Sequence, residues 1–438
     1  MVKNNNQMKR ILNIVAALLA FAVVLPSCTA GAQQGSVSKG EVVKTGIDVL
    51  QSNGFKQLQG KKVGLVTNPS GVNNQLVSTV DILANAPGVE LVALYGPEHG
   101  VRGDIHAGDK VSDDVDPKTG VPVYSLYGKT RKPTPEMLKD VDAIVYDIQD
   151  NGCRSFTFIS TLGLLMEAAA ENGKEVIVLD RPNPLGGNKV EGSLVEPGYF
   201  SFVSQFEIPY LYGLTVGELA KMLNEEGMLK GEKGTNDTIV KCNLTVVPME
   251  GWSRDMVYTD TKLPWVLPSP HMPQAETSYY YPATGILGEL GYMSIGVGYT
   301  LPFQMVAAQW INAAELADAL DALNLEGVKF RPINVKPFYS VGKGENMGGV
   351  QIYITDYEKA HLTSIQFYIM QEIAKLYPEH EVMANADQGR FRMFDLVSGS
   401  NFIREKFTET KQYKDIEAHW NKDVESFKEL SKKYYLYK

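Results

Sequence analysis

The stretch "KKVGLVTNPSG", Lys61–Gly71, runs through Val63, Leu65 and Val66 with no polar alternation and then stops in Asn68, Pro69, Ser70 and Gly71. A strand that is apolar at every position is buried on both faces, as happens in a parallel sheet covered by helices. Three further stretches share this design: "VELVALYG" (Val89–Gly96), "DAIVYDIQD" (Asp142–Asp150) and "EVIVLDRP" (Glu175–Pro182). Helical patterns separate them at Gln75–Ala86, Thr134–Val141 and Ser160–Gly173, the last closed by a glycine. Strands alternating with helices predict an α/β fold with a parallel, doubly wound sheet. Its carboxyl edge then carries the loops "TNPSG", "GPEHG", "DIQDNGCR" and "DRPNPLGG", and in such sheets that edge holds the ligand crevice.

The second half is patterned differently. "LPSPHMPQAETSYYYPATG", Leu267–Gly285, is rich in Pro and Tyr and reads as an ordered crossing segment without helical or strand period. Met305–Leu323 reads as a helix, Val328–Phe338 and Gly348–Asp356 as strands, and Leu362–Pro378 as a long amphipathic helix. The expected organisation is a parallel-sheet domain over 41–262 and a smaller α+β C-terminal domain over 263–438.

Ahead of both lies an apolar run, Ile11–Leu25, too short to span a bilayer and preceded by Lys9 and Arg10, which reads as a signal peptide over residues 1–27. "LPSC" resembles a bacterial lipobox, so Cys28 is the expected lipidated first residue, followed by a polar tether over 28–40; cleavage near "TAGA" is the alternative. The chain would then be an exported lipoprotein facing the periplasm, with no membrane contact beyond that anchor. Its 438 residues carry a net charge of −9, and loss of Lys3, Lys9 and Arg10 makes the mature chain more acidic still. Such a balance argues against nucleic-acid or anionic-lipid partners. Aromatic content of 10%, with 22 tyrosines, suits a surface that stacks on sugars. Cys153 and Cys242 make no disulfide framework, and whether they pair is left open.

"LYGPEHGVRGDIHAGDKV", Leu94–Val111, concentrates Glu98, His99, Arg102, Asp104, His106 and Asp109 among glycines at one strand end. No Gly-x-Gly-x-x-Gly turn follows the first strand and no lysine phosphate loop is present, so no nucleotide cofactor is expected. A nucleophile elbow is absent, and the His and Asp spacing fits no zinc signature; no metal is expected, although a hydrolase using His99, Asp104 and His106 as ligands is the metal-dependent alternative. What remains is carboxylate acid–base chemistry. Glycosidases need a carboxyl group that can donate a proton to the leaving oxygen, and partial burial at a sheet edge favours the protonated form. Glu98 between Pro97 and Gly100 is the candidate acid, with His99, Asp147, Asp150 and Arg154 placed to orient a sugar or tune the acid. The plainer reading pairs Glu98 with Arg102 or Arg154 as a loop tie, and makes Asp180 and Arg181 a salt-bridged turn locked by Pro182 and Pro184.

"TNPSGV", "GPEHGVRG", "AGDKV", "YSLYGKTRKPT", "YDIQDNGCR", "VLDRPNPLGG", "GLTVGELA" and "LPSPHMP…ET…YP", in this order from about Gly46 onward, resemble the motifs of the secreted exo-β-N-acetylmuramidases of the NamZ type, formerly a domain of unknown function. The resemblance implies a Rossmann-like domain joined to a smaller one, a cleft between them that releases N-acetylmuramic acid from non-reducing ends of peptidoglycan fragments, and Glu98 as the leading catalytic residue beside His99. Carried onto the matching motifs, it makes Asn68, Arg102, Asp147, Asp150, Arg154, Asp180, Arg181, Asn183, Tyr212, His271 and Glu276 candidate substrate contacts. The chain also departs from the pattern. Tyr212 stands where the family usually has His, and "ELGYMSIGVGYTLPFQ" puts Tyr292, Ile295 and Val297 where Asn, Glu and Arg are expected. Loss of that Arg would weaken discrimination for the lactyl carboxylate, because a desolvated anion needs a charged partner. A catalytically weakened glycan-binding protein is therefore the third reading.

Overall fold

The computed structural model describes residues 41–103, 114–231 and 238–438. The signal peptide, Cys28 and the tether lie outside them, as do Asp104, His106 and Asp109.

Twelve strands are present among the described residues: β1 Lys62–Thr67, β2 Glu90–Gly96, β3 Asp114–Val115, β4 Pro122–Ser125, β5 Ala143–Asp147, β6 Glu175–Leu179, β7 Val190–Glu191, β8 Leu211–Tyr212, β9 Asn243–Val247, β10 Met305–Ala308, β11 Val328–Val335 and β12 Met347–Ile354. The main sheet has the order β3-β4-β2-β1-β5-β6-β9, parallel throughout except for the β3–β4 pair. Its six parallel strands, counted along the chain, thus lie in the order 3-2-1-4-5-6 of a Rossmann-like fold, with the topological switch between β1 and β5.

Side chains of each central strand divide between two cores, as the continuous apolar runs require. Val63, Leu65, Ala143, Val145, Ile177 and Leu179 face one core, together with helices α1 (Gly46–Ser52) and α2 (Thr79–Ala84). Val66, Ile144, Tyr146, Val176 and Val178 face the other. Covering this second face are α4 (Phe158–Glu171), which follows the single-turn α3 (Pro135–Leu138), and α5 (Val216–Glu225). Asn172 caps α4 and Gly173 then turns left-handed at φ 63°, so the glycine ends the helix as its position suggested. Helix α2 is shorter than its apolar period. The Asn73 side chain accepts from the backbone N–H groups of Gln75 and Val77, holding that stretch as a turn until Ser78 caps the helix.

The C-terminal domain carries the antiparallel sheet β10-β12-β11 with α7 (Ala313–Ala322) and α8 (Ile365–Leu376). Two readings are corrected here. Residues 305–308 form β10 rather than the start of a helix, because all four are buried and pair with β12, and the helix begins only after the Asn312 cap. The Pro/Tyr-rich segment is not without helical period: Thr277–Gly288 is a helix, α6, with Pro282 inside it. Burial of Ala283, Ile286 and Leu287 outweighs the proline, and the Pro282 carbonyl takes a hydrogen bond from Gln366.

The chain returns to the main sheet at its end. Val424, Phe427 and Tyr434 join the α4–α5 core, and the Tyr437 hydroxyl donates to Asp180 at 2.6 Å.

Candidate functional site

A cavity of about 550 Å³ opens over the carboxyl ends of β2, β4 and β5, within the size range of small-molecule sites. Glu98 and His99 enter it from the loop after β2, Tyr127 and Arg131 from the loop after β4, and Ser155 to Phe158 from the loop after β5. Ser201–Val203, Ser269, His271, Met272, Tyr281, Phe303, Met393 and Leu396 complete the lining. Among the described residues Glu98 is the one carboxylate in this wall.

The turn that presents Glu98 is tight. Gly100 N–H bonds the Pro97 carbonyl at 3.0 Å, and His99 and Gly100 both sit at φ 73°. A histidine in the left-handed region costs of order 1 kcal/mol and persists where surrounding structure imposes it. His99 is buried, and Glu98 half-buried at the cavity rim. The Tyr127 hydroxyl hydrogen-bonds the Glu98 carboxylate, and burial together with that carboxylate pushes the phenol up to about 12, so it remains a donor through the physiological range. Burial and then the neighbouring His99 lower the pKa of His271, with Glu98 acting in the opposite sense. His271 is also held by Tyr339, whose hydroxyl is 2.9 Å from its Nε2. Arg131 stacks its guanidinium 4.2 Å from the centre of the Phe202 ring, putting a cation in the cavity wall. Phe156, Tyr281 and Phe303 supply an apolar face, with Phe156 edge-on to Tyr281 and Tyr281 against Phe303.

Of the residues nominated from the sequence, Glu98, His99 and His271 meet in this cavity. The others do not line it, each for a definite reason. Arg102 does not pair with Glu98; it forks onto Asp116 at 2.8 and 3.0 Å and reaches Asp81 at 3.1 Å. Arg154 is fully buried and donates to the carbonyls of Ser193, Ile208, Val397 and Ser398 and to Ser204, tying the β5 loop to the C-terminal domain. Asp147 holds Arg181 at 2.6 and 2.9 Å and accepts from Thr79; the salt bridge of Arg181 is therefore to Asp147 on the neighbouring strand and not to Asp180, which takes only the Arg181 backbone N–H. Asp180 accepts from Thr215, from Gly217 N–H and from Tyr437, while burial raises its pKa to about 6. Asn68 bonds Ser70 and the Pro268 carbonyl, and Asn183 spans Leu185 N–H and the Leu214 carbonyl. Tyr212 is buried with its hydroxyl on Asp150. Burial raises Asp150 to about 6. Glu276 is exposed at the start of α6.

Tyr127 and Arg131 were within reach of the sequence: they follow β4, the strand beside β2, so the edge rule that selected Glu98 selects them too. Nothing local marks Ser201–Val203, Met393 or Leu396, which chain folding brings from far away. Cys153 and Cys242 are both free and buried. Among the described residues no three His, Cys, Asp or Glu side chains group as a metal site.

Comparison with known proteins adds the family. Residues 63–276 match the model described as exo-β-N-acetylmuramidase NamZ, N-terminal, and residues 279–437 match its C-terminal counterpart. A peptidoglycan β-N-acetylmuramidase NamZ from Bacillus subtilis (strain 168) is 43% identical over 429 residues, covering 98% of this chain and 100% of the relative. Two crystal structures of DUF1343 family proteins from Bacteroides fragilis NCTC 9343 share the fold. One is 62% identical with a TM-score of 0.86, covering 90% of this chain and 99% of its own; the other is 26% identical with a TM-score of 0.69, covering 91% and 99%. The chain belongs to the exo-β-N-acetylmuramidase NamZ family, a family of glycoside hydrolases.

Proposed function

We propose that the chain is an exo-acting glycosidase that releases N-acetylmuramic acid, or a closely related amino sugar, from non-reducing ends of peptidoglycan fragments, with Glu98 as general acid. The observation that carries this is the position of Glu98 as the carboxylate of the main cavity, held by the Tyr127 phenol beside His99 and His271. Held by its hydrogen bond from Tyr127, the Glu98 carboxyl gives a proton to the departing glycosidic oxygen. Phe156, Tyr281 and Phe303 offer the apolar face on which a sugar ring stacks, and Arg131 the cation for an anionic substituent. Export as a lipoprotein anchored through Cys28 would put this site among periplasmic peptidoglycan fragments.

The experiment is side-by-side turnover of aryl β-MurNAc and aryl β-GlcNAc. Turnover of the first supports the reading; its absence together with tight glycan binding favours the weakened binder. The weakened-binder reading is motivated by Tyr212, Ile295 and Val297, the last two of which line a neighbouring cavity. Activity that survives EDTA removes the alternative built on His99, Asp104 and His106.

A further inference from the structure

The loop over 336–346, which joins β11 to β12, carries two exposed aromatic side chains, Phe338 at 67% and Tyr339 at 48%. Backbone hydrogen bonds hold this loop in shape: Phe338 N–H donates to the Gly298 carbonyl at 2.7 Å, Gly344 N–H to that of Pro337 at 2.9 Å and Lys343 N–H to that of Ser340 at 3.2 Å. The two rings have different neighbours. Phe338 stacks on Tyr299, with ring centres 5.9 Å apart. Tyr339 stacks on His271, with 6.1 Å between ring centres and 27° between planes, and its hydroxyl is 2.9 Å from Nε2. His271 lines the Glu98 cavity and lies within electrostatic reach of Glu98. Tyr339 is thus one side chain removed from the proposed acid, on the solvent side. An aromatic ring fixed at its hydroxyl and about half open to water packs against the C–H face of a pyranose at little ordering cost.

We infer that Tyr339 is the stacking platform for the leaving-group sugar, the ring on the far side of the bond being cleaved, and that it makes the site prefer a saccharide leaving group over a small one. A general acid protonates the oxygen that joins the released sugar to the rest of the chain, so that oxygen stands at Glu98 with one ring on either side. The released sugar occupies the cavity. The next ring then emerges past the acid, where His271 and behind it Tyr339 stand. Phe338 shares the loop and is the more exposed of the two, but its ring is turned to Tyr299, which makes it the internal control. The inference rests on the glycosidase reading of the Glu98 cavity, since that reading places the scissile oxygen.

Calorimetric titration of the full chain carrying Glu98→Gln tests it, using the β-linked disaccharide MurNAc-GlcNAc and methyl β-MurNAc, which has no second sugar. The disaccharide should bind about tenfold more tightly than the methyl glycoside. Adding Tyr339→Ala should bring the two ligands within about twofold of each other. Tyr339→Phe, which keeps the ring and loses the hydroxyl, should retain most of the preference, and Phe338→Ala should leave it unchanged. Equal binding of the two ligands by the Glu98→Gln chain overturns the inference, as does a preference that survives Tyr339→Ala. A Tyr339→Phe chain as deficient as Tyr339→Ala also overturns it, because the hold of the hydroxyl on His271 then carries the effect. An equal loss in Phe338→Ala overturns it by assigning the effect to the loop as a whole. If the two ligands bind alike while the unaltered chain cleaves the disaccharide, the platform is refuted and the glycosidase reading stands; a Tyr339-dependent preference in a chain that never cleaves the disaccharide has the opposite meaning.

Discussion

The carboxyl edge of the main sheet has two regions built from the same kinds of residue. After β1, β5 and β6, the side chains of Asn68, Asp147, Asp180, Arg181 and Asn183 satisfy one another and nearby backbone groups in a closed, buried network. After β2 and β4, Glu98, Tyr127 and Arg131 open onto a cavity. The switch point between β1 and β5, where a Rossmann-like sheet ordinarily receives its ligand, is filled here by the Asp147–Arg181 pair. The cavity lies toward the flank, with Glu98, Tyr127 and Arg131 from the loops after β2 and β4 and Ser155 to Phe158 from the loop after β5 in its wall. Charges paired within the fold leave no bonding capacity for a substrate, so the first region acts as a rigid floor, and the proposed acid chemistry belongs to the second, open wall.

Removing one member of the floor gives the largest expected effect. Arg181→Met leaves Asp147 buried without its bidentate partner, which should lower unfolding free energy by about 3–5 kcal/mol in urea titration. A loss below about 1 kcal/mol, on the scale of an exposed pair, would erase the contrast between the regions.

Asp150 probes the same floor through pH. One of its oxygens is buried without a hydrogen-bond partner, and burial raises its carboxyl from 3.8 to about 6 despite the bond from Tyr212. A raised carboxyl means that its contribution to stability is fully present below about pH 4 and is lost as pH rises through about 6. The rise corresponds to about 3 kcal/mol. Asp150→Asn should therefore exceed the parent in stability at pH 7 by up to that amount, with the gap closing toward pH 4. Melting curves across this range that stay parallel would show that Asp150 is not held protonated by the fold.

These contrasts explain what the sequence could and could not reveal. Strands β1, β2, β5 and β6 were legible because burial on both faces writes an unbroken apolar run. Helix α6 was not, because proline and tyrosine conceal a helix that tertiary packing imposes. At the site, Glu98, His99 and His271 were legible as chemistry-bearing residues in loops. Whether a carboxylate at the edge is free or paired was not, since its partner comes from elsewhere in the chain: Arg181 lies 34 residues from Asp147, and Val397 lies 243 from Arg154. Residue type and strand end are local signals, whereas pairing is a property of the assembled fold.

On the side proposed to be reactive, Glu98→Gln keeps the shape and the acceptor oxygen but removes the proton that the proposed general acid would transfer. Turnover of aryl β-MurNAc should fall by about a hundredfold or more, equivalent to at least about 2.7 kcal/mol in the barrier. Unfolding free energy should change by less than about 0.5 kcal/mol, as for a group outside any buried network. A variant that instead loses stability and keeps turnover would move Glu98 into the floor.

The smallest effect sharpens the boundary between the regions. Tyr127 does not transfer a proton, since burial and Glu98 hold its hydroxyl near 12; its bond to the carboxylate fixes which way Glu98 points. Tyr127→Phe removes that bond and leaves the ring in the wall. A carboxyl group released from one of its orienting contacts spends less time aligned with the leaving oxygen, and a single positioning hydrogen bond of this kind is worth about tenfold, or about 1.4 kcal/mol. The loss should appear in kcat with KM nearly unchanged, because the phenol acts on the orientation of the acid and not on the sugar. A phenol of this pKa also contributes no limb to the rate profile between pH 5 and 9, so the profile of the variant should keep the parent's shape at lower height. If KM rises and kcat holds, Tyr127 contacts the sugar directly; if the melting temperature falls by several degrees with both, it belongs with Asp147 and Arg181 in the floor.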